Sequence, residues 1–325
     1  MTYRLLIIVA GASCLAACQE NHSVLAPHGP VAEDIAALTW VLLAVAAAVV
    51  AIVGLTLSLA LRGPARSRRW IANERMIIAL GIIFPGVVLS ILLFAGLWVT
   101  SALSSSEATN AIRIEVTGEQ WWWRVRYRTA SGQIVEGANE VRIPAGQDIV
   151  FQLKSADVIH SFWIPSLAGK ADMIPGRATS LRLAASKPGI YRGMCAEYCG
   201  GPHAFMALDV IAMPAADYES WLVKASSAPM PSTDDGRRGE ALFTKAGCSG
   251  CHAIDGTAQG MIGPSLTTLG GRRSIAAGLM PMSEGNLARF IVDGPHLKPD
   301  NKMPPFRIFN DGELRALTAY LGGLK

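Results

Sequence analysis

Charged residues are scarce in this sequence. Asp, Glu, Lys and Arg make up only 17% of its 325 residues, whereas hydrophobic residues make up 51%. Such an apolar composition excludes an ordinary soluble protein and indicates that part of the chain lies in a membrane. The net charge is only +4, and much of the positive charge lies between two apolar runs, in Arg62, Arg66, Arg68, Arg69 and Arg75. Acids and bases nearly balance elsewhere, so we expect no nucleic-acid partner.

Cysteine is also scarce, and its spacing excludes a disulfide-stabilised scaffold. The six residues form three local pairs: Cys14 with Cys18, Cys195 with Cys199, and Cys248 with Cys251. A disulfide that closes so short a loop removes little chain entropy, so local pairs stabilise a fold poorly. The pairs therefore indicate processing, metal binding or cofactor attachment.

The first 18 residues have the layout of a secretory signal, with Arg4, a short apolar stretch and then small residues. The end of this segment, Leu15-Ala-Ala-Cys18, resembles the lipobox of bacterial lipoproteins. That resemblance implies that Cys18 is lipidated and becomes the mature N-terminus. The alternative is a plain signal peptide with an incidental cysteine. Residues 19–34 would then lie outside the membrane.

Two apolar runs, from about Ile35 to Leu61 and from about Met76 to Val99, are each long enough to span a bilayer. They predict a two-helix transmembrane hairpin over residues 35–103, in contact with membrane lipid. The arginine-rich connection is expected on the cytoplasmic side. The N-terminus and everything after about Ser104 would then lie on the periplasmic side of a bacterial inner membrane.

Residues 104–225 show short alternating stretches separated by turn residues, for example Ile112-Arg-Ile-Glu-Val and Ile149-Val-Phe-Gln-Leu. This pattern predicts an all-β sandwich or barrel, followed by a short helix over 215–225. A Pro- and Ser-rich linker is predicted over 226–236. Residues 237–325 are expected to form a small domain of helices and loops.

Metal-binding residue types are densest at the end of the predicted β domain. Two thiols, an imidazole and a thioether lie within twelve residues, namely Cys195, Cys199, His203 and Met206. Soft ligands of this kind favour copper, although zinc and iron–sulfur clusters also accept thiolates. His160, in an earlier loop, is the candidate for a second imidazole. The second thiolate would allow two sulfurs to bridge two copper ions. The alternative is a disulfide between Cys195 and Cys199.

The pattern Cys-x-Glu-x-Cys-x-x-x-His-x-x-Met over 195–206 resembles the copper-A motif of cytochrome oxidase subunit II. The resemblance covers roughly residues 32–225 and implies a cupredoxin-like Greek-key barrel. It also implies a binuclear copper centre and a ligand set of His160, Cys195, Cys199, His203, Met206 and the backbone carbonyl of Glu197. The Glu197 side chain would reach a magnesium ion at the contact with subunit I.

The aromatic stretch Gly118-Glu-Gln-Trp121-Trp-Trp123 resembles the strand where electrons enter the copper domain in this family. The resemblance assigns that role to Trp121 and Trp123. The alternative is core packing, which is a common environment for tryptophan.

The pattern Cys248-Ser-Gly-Cys251-His252 is typical of covalent haem c attachment, in which two thiols bond the haem and the histidine binds the iron. A redox dithiol or half of a zinc site would also contain two cysteines at this spacing. A second axial thioether is expected from one of four methionines: Met261, Met280, Met282 and Met303. Met303 lies shortly before the last helix, where class I cytochromes c place this ligand, and is the favoured candidate.

Together these features resemble subunit II of caa3-type oxidases. The resemblance implies electron flow from a periplasmic donor such as a cytochrome c, through haem c and copper A, to haem in subunit I. Other oxidase subunits are expected partners, and the oxygen reduction site would lie on another subunit. The alternative is a copper-A subunit of a membrane nitric oxide reductase, which would carry the same metals.

Overall fold

A computed structural model describes residues 22–103, 111–227 and 233–325. The predicted signal sequence and Cys18 lie outside the described residues. The chain divides into a helical unit, Glu33–Glu107, and a second unit that combines the segment up to Ala32 with Ala108–Lys325.

The helical unit contains two long apolar helices. Its elements are α1 (Pro30–Arg62), α2 (Ala65–Ile71), α3 (Glu74–Ile78), a π-helical turn (Ala79–Ile83) and α4 (Phe84–Leu103). The stretches Pro30–Arg62 and Glu74–Trp98, of 33 and 25 residues, are long and apolar enough to cross a membrane. Almost none of their side chains is buried by protein. The prediction of two apolar helices is therefore confirmed.

The β domain consists of two five-stranded sheets. Its strands are β1 (Ile112–Glu119), β2 (Trp122–Arg128), β3 (Ile134–Ala138), β4 (Glu140–Pro144), β5 (Ile149–Ser155), β6 (His160–Trp163), β7 (Ala171–Met173), β8 (Thr179–Leu183), β9 (Gly189–Cys195) and β10 (Ala207–Met213). The order is β3-β2-β1-β5-β8 in one sheet and β4-β10-β9-β6-β7 in the other.

Both sheets contribute to one hydrophobic core. In β1, Ile114 and Val116 are buried while their neighbours are not, which is the predicted alternation. Side chains from the second sheet, including Phe162 and Leu208, join the same core. Strand β10 was not predicted, because its residues are buried almost without interruption and show no alternation.

The C-terminal domain is mainly helical. It follows α5 (Ala215–Ala225) and consists of α6 (Asp234–Lys245), α7 (Glu284–Leu297), α8 (Asp311–Gly323), and the two-residue strands β11 (Ala253–Ile254), β12 (Ala258–Gln259), β13 (Ser274–Ile275) and β14 (Met280–Pro281). Its core includes Phe243 from α6 and Tyr320 from α8, in edge contact. The first helix begins inside the predicted linker, because the Thr233 side chain caps it by accepting from the Gly236 N–H.

Candidate metal centre and haem site

The structure brings together residues that are far apart in sequence. Potential ligand atoms of His160, Cys195 and Cys199 all lie within 4.8 Å of one another, and all three side chains are buried. His160 begins β6 and Cys195 ends β9, and these strands are adjacent, with Phe162 opposite Cys195. Strand pairing, rather than local sequence, therefore places His160 beside the cysteine loop.

The other two side chains of the motif reach the same cluster from the loop between β9 and β10. A 3₁₀ turn at Gly201–Phe205 carries His203, whose Nδ1 lies 3.4 Å from Cys199 Sγ. Met206 Sδ lies 3.8 Å from the same sulfur, and the two cysteine sulfurs are 3.9 Å apart. Two thiols, two imidazoles and a thioether thus converge, which is a donor set suited to a soft metal such as copper.

The two thiols differ in acidity because they interact directly. The hydrogen bond between the two sulfurs lowers the pKa of Cys195 to about 4, with a further contribution from His160. The same interaction raises the pKa of Cys199, since a second thiolate beside the first is unfavourable. A thiolate, the form that binds metals, is therefore already favoured at one of the two sulfurs.

Glu197 turns its backbone and its side chain in different directions. Its carbonyl oxygen lies 3.2 Å from Cys195 Sγ, so this oxygen faces the cluster. Its carboxylate lies 3.9 Å from Lys170 Nζ and is half-exposed. The carbonyl is thus close to the sulfurs, whereas the carboxylate forms an ion pair with Lys170.

Asp157 orients His160, a role that the sequence analysis missed. Its Oδ1 lies 2.8 Å from His160 Nε2, while His160 Nδ1 lies 3.8 Å from Cys195 Sγ. Burial lowers the pKa of His160, but the hydrogen bonds with Cys195 and Asp157 outweigh it and raise the pKa overall. Carboxylates of this kind fix the orientation of a ligand histidine. The only available signal was an aspartate three residues before the histidine.

Trp121 is connected to the cysteine loop by a hydrogen bond. Its indole Nε1–H donates to the carbonyl oxygen of Cys199 at 2.9 Å, and Gln120 Nε2 donates to the same oxygen at 2.8 Å. Trp123, in contrast, is fully buried and packs edge-on against Phe162. The surroundings of Trp123 are thus those of a core residue, and its role in electron entry stays a prediction.

The haem motif lies just after α6. Cys248 and Cys251 are free thiols, with Cys251 exposed. The Nδ1 of His252 lies 2.8 Å from the carbonyl oxygen of Pro264, so the neutral ring donates from Nδ1 and keeps Nε2 available for iron. Burial lowers the pKa of His252, which favours this neutral form. The three residues fit covalent haem attachment.

The candidate axial methionines differ in their surroundings. Met303, Met280 and Met282 are partly buried and pack against the core of the C-terminal domain, as Cys248 does. Met261 is 66% exposed. Its exposure makes Met261 the least suitable partner for a haem, and Met303 remains the favoured candidate.

Comparisons with known proteins agree with the two-domain arrangement. Residues 128–213 match the family described as cytochrome c oxidase subunit II, periplasmic domain, and residues 236–325 match the family cytochrome c. A cytochrome c oxidase subunit 2 of Alkalihalophilus pseudofirmus is 37% identical over 218 residues, which cover 66% of this chain and 62% of that protein. One of Bacillus sp. PS3 is 32% identical over 229 residues, covering 66% and 63%.

The matched part of the chain thus spans slightly less than two thirds of the length of these relatives. A solved periplasmic domain of cytochrome oxidase subunit II from Bradyrhizobium japonicum is 31% identical, with 35% of this chain and 92% of that chain covered and a TM-score of 0.33. The subunit II family implies copper and the cytochrome c family implies haem c. The predicted fold class is confirmed: the chain carries two apolar helices, a β-rich cupredoxin-like domain that matches the family cytochrome c oxidase subunit II, periplasmic domain, and a small helical domain that matches the family cytochrome c.

Proposed function

We propose that this chain is subunit II of an aerobic respiratory haem–copper oxidase. In this role it passes electrons from a haem c through a binuclear copper-A centre to haem in subunit I, which reduces oxygen to water. The observation that carries the proposal is the convergence of His160, Cys195, Cys199, His203 and Met206 in one cluster. When bound, copper and haem would supply one-electron redox chemistry.

The protein residues would supply position and environment. The buried sulfurs of Cys195 and Cys199 would hold two copper ions, together with His160, His203, Met206 and the Glu197 carbonyl. Asp157 holds His160 by its Nε2. Gln120 and Trp121 hold the Cys199 carbonyl. Such preorganisation limits rearrangement when the charge of a bound metal changes.

The haem c would be bound by Cys248 and Cys251, with His252 and Met303 as axial ligands. The hydrogen bond from His252 Nδ1 to the Pro264 carbonyl fixes the ring so that Nε2 can face iron. A cytochrome c or another periplasmic donor would deliver electrons to this domain. Trp121, which contacts the Cys199 carbonyl, would be the point where electrons enter the copper domain.

The membrane setting of the proposal follows from the two apolar helices. They would anchor the chain in a bacterial inner membrane, in contact with lipid, with both redox domains on the periplasmic side. Cys18 would be lipidated, and the half-exposed Glu197 carboxylate would bind magnesium at the contact with subunit I. Other oxidase subunits would complete the enzyme. The relatives are cytochrome c oxidase subunits, so the nitric oxide reductase alternative is not favoured.

The test is metal analysis with optical and EPR spectroscopy on the full chain, matured with haem and copper in detergent. We expect one low-spin haem c and two copper ions per chain, with the signal of one electron shared by both coppers. A single copper, or none, would contradict the copper-A centre. Reconstitution with subunit I, followed by oxygen and nitric oxide consumption assays, would separate the two possible acceptors.

A further inference from the structure

Lys298 is a buried lysine at the boundary between the cytochrome and copper domains. Only 4% of the residue is exposed, and burial lowers its pKa to about 7. Its Nζ donates to three backbone carbonyls: Trp121 O at 2.6 Å, Phe205 O at 3.1 Å and Ala276 O at 3.2 Å. The first two belong to the copper domain and the third to the cytochrome domain. One ammonium group therefore joins three separate segments.

The segment that supplies the third carbonyl has an unusual backbone. Ala276, Ala277 and Gly278 are consecutive residues with φ of 56°, 63° and 81°. Alanine rarely adopts this left-handed conformation, and it persists where the surroundings determine it. The carbonyls of all three residues are used, because Ala277 O accepts from the Ala207 N–H at 3.2 Å and Gly278 O from Arg192 at 3.0 Å.

These contacts hold the copper-binding loop on both sides of Met206. Lys298 binds the carbonyl of Phe205, the residue before it, and Ala277 binds the N–H of Ala207, the residue after it. Met206 itself lies 3.8 Å from Cys199 Sγ. The cytochrome domain thus bonds directly to the backbone that positions a predicted copper ligand.

Further contacts lie around Trp121. The Nζ of Lys302 lies 5.9 Å from the centroid of the Trp121 ring and 4.0 Å from the Asp157 carboxylate. Asp300 packs so closely on Gly201 that a Cβ at that glycine would overlap the Asp300 carboxylate. The segment Lys298–Met303 therefore covers Trp121 and ends at the predicted axial methionine.

We propose that Lys298 is a positioning residue that fixes the cytochrome domain to the Phe205–Ala207 segment, so that the two domains form one rigid unit and the cytochrome domain helps to shape the copper-binding loop. The inference about the loop rests on the proposed copper centre, whereas the inference about domain docking does not. A flexibly tethered domain would not need a buried ammonium group at its contact surface, since burying a charge is unfavourable unless its hydrogen bonds are satisfied.

Docking is tested by cutting the connection between the domains. A protease recognition sequence is inserted between Ala228 and Ser232 of the full chain, which is then cleaved and examined by size-exclusion chromatography with haem absorbance. We expect the released cytochrome domain to remain bound to the copper domain. In Lys298→Met the affinity of the released cytochrome domain for the copper domain should fall about tenfold or more. The reason is that three backbone carbonyls lose the charged group that donates to them.

The matched control is Lys245→Met, because Lys245 is an exposed lysine of the same domain whose side chain has no hydrogen bond or ion pair among the described residues. Equal affinity in Lys298→Met and Lys245→Met would overturn the docking role. If Lys298→Met does not acquire haem, Lys298→Gln decides, because its amide keeps two N–H donors but cannot satisfy all three carbonyls. It should also weaken binding, whereas affinity equal to that of Lys245→Met would overturn the role.

The effect on the copper loop is read spectroscopically in the uncleaved chain. We expect Lys298→Met to change the copper EPR hyperfine pattern while the haem spectrum stays that of the unmodified protein. Lys245→Met should change neither signal. An unchanged copper spectrum together with weakened docking would restrict Lys298 to domain attachment and overturn its role at the loop. The absence of any copper signal in the unmodified chain would instead contradict the proposed function.

Discussion

The Nε1–H of Trp121 donates to the carbonyl oxygen of Cys199 over 2.9 Å, and so links an aromatic ring at the domain boundary to a predicted copper ligand. Gln120 donates to the same oxygen, so two side chains from one turn hold this peptide group.

Trp121→Phe keeps an aromatic ring but removes the donor to Cys199. We expect a loss of about 1 kcal/mol in the free energy of unfolding, the usual value of one hydrogen bond, and slower reduction of the copper by the haem. Denaturant titration and stopped-flow absorbance would measure the two effects. Trp122→Phe is the control, because Trp122 stacks with Arg124 instead. Equal reduction rates in both variants would contradict a role for Trp121.

Substitution of a ligand at either centre should leave the other centre intact. Cys199→Ser removes the sulfur that lies closest to both His203 and Met206, so we expect it to abolish the copper pair and retain the haem. Met303→Ala should retain the copper pair and change the haem from low spin to high spin. Copper analysis and optical spectra of both variants would check this. Loss of low-spin haem from Met280→Ala instead would reassign the axial ligand.

Gly118→Ala tests the placement of His160. A Cβ at Gly118 would lie 2.8 Å from His160 Cδ2, so the imidazole must move. Because small displacements around a ligand histidine weaken metal binding, we expect copper affinity to fall about 10–100-fold while the domain still folds. Gly137→Ala is the matched control in the same sheet, where a Cβ would meet no described atom within 4 Å. Competition with a copper chelator would measure the difference.

Gly239→Ala tests the packing of α6 against α8. A Cβ there would overlap the Ala316 carbonyl oxygen and lie 2.6 Å from the Tyr320 Cβ, so the helices must separate. We expect a loss of about 1–3 kcal/mol in unfolding free energy. Gly285→Ala, where a Cβ meets no described atom within 4 Å, should not destabilise the domain. Thermal unfolding followed by haem absorbance would distinguish the variants.

Glu115 should make the β domain more stable above about pH 4.5 than below it. Burial raises the pKa of Glu115, but its ion pairs with Lys154 and Arg126 outweigh burial and lower the pKa below its usual 4.5. The contribution is therefore present above that pH and is lost as the pH falls through the lowered pKa. Glu115→Gln should be less stable at pH 7 and equally stable near pH 2. The control is Glu219→Gln, at an exposed carboxylate of α5.

Sequence patterns predicted those structural elements that are determined by residues close together in the chain. Strands β1 and β5 and the short helix after Pro214 each depend on neighbouring residues, and each lies where it was expected. The attachment motif at Cys248 is also local, and haem attachment there stays a prediction. The convergence of His160 with the cysteine loop was expected from the family resemblance rather than from spacing. Strand pairing between β6 and β9 produces it.

The residues that were missed act across long sequence distances. No sequence pattern singles out Lys298, and the packing of two domains buries it against Trp121 and Phe205. Gly118 belongs to the predicted aromatic strand, but the sequence does not indicate that its missing side chain makes room for His160. Burial at a domain boundary and close approach of a backbone produce no periodic pattern in a sequence. The roles of Lys298 and Gly118 could therefore not be predicted.

The pairing of β6 with β9 also bears on the order in which the protein matures. His160 and Cys195 become neighbours only after strands far apart in the chain have paired, and such non-local contacts form slowly. The haem attachment residues, in contrast, lie within the five positions from Cys248 to His252 and need no distant partner. Under the proposed function, an exported chain would therefore be able to receive its haem while still unfolded, whereas copper would bind only after the β domain has folded.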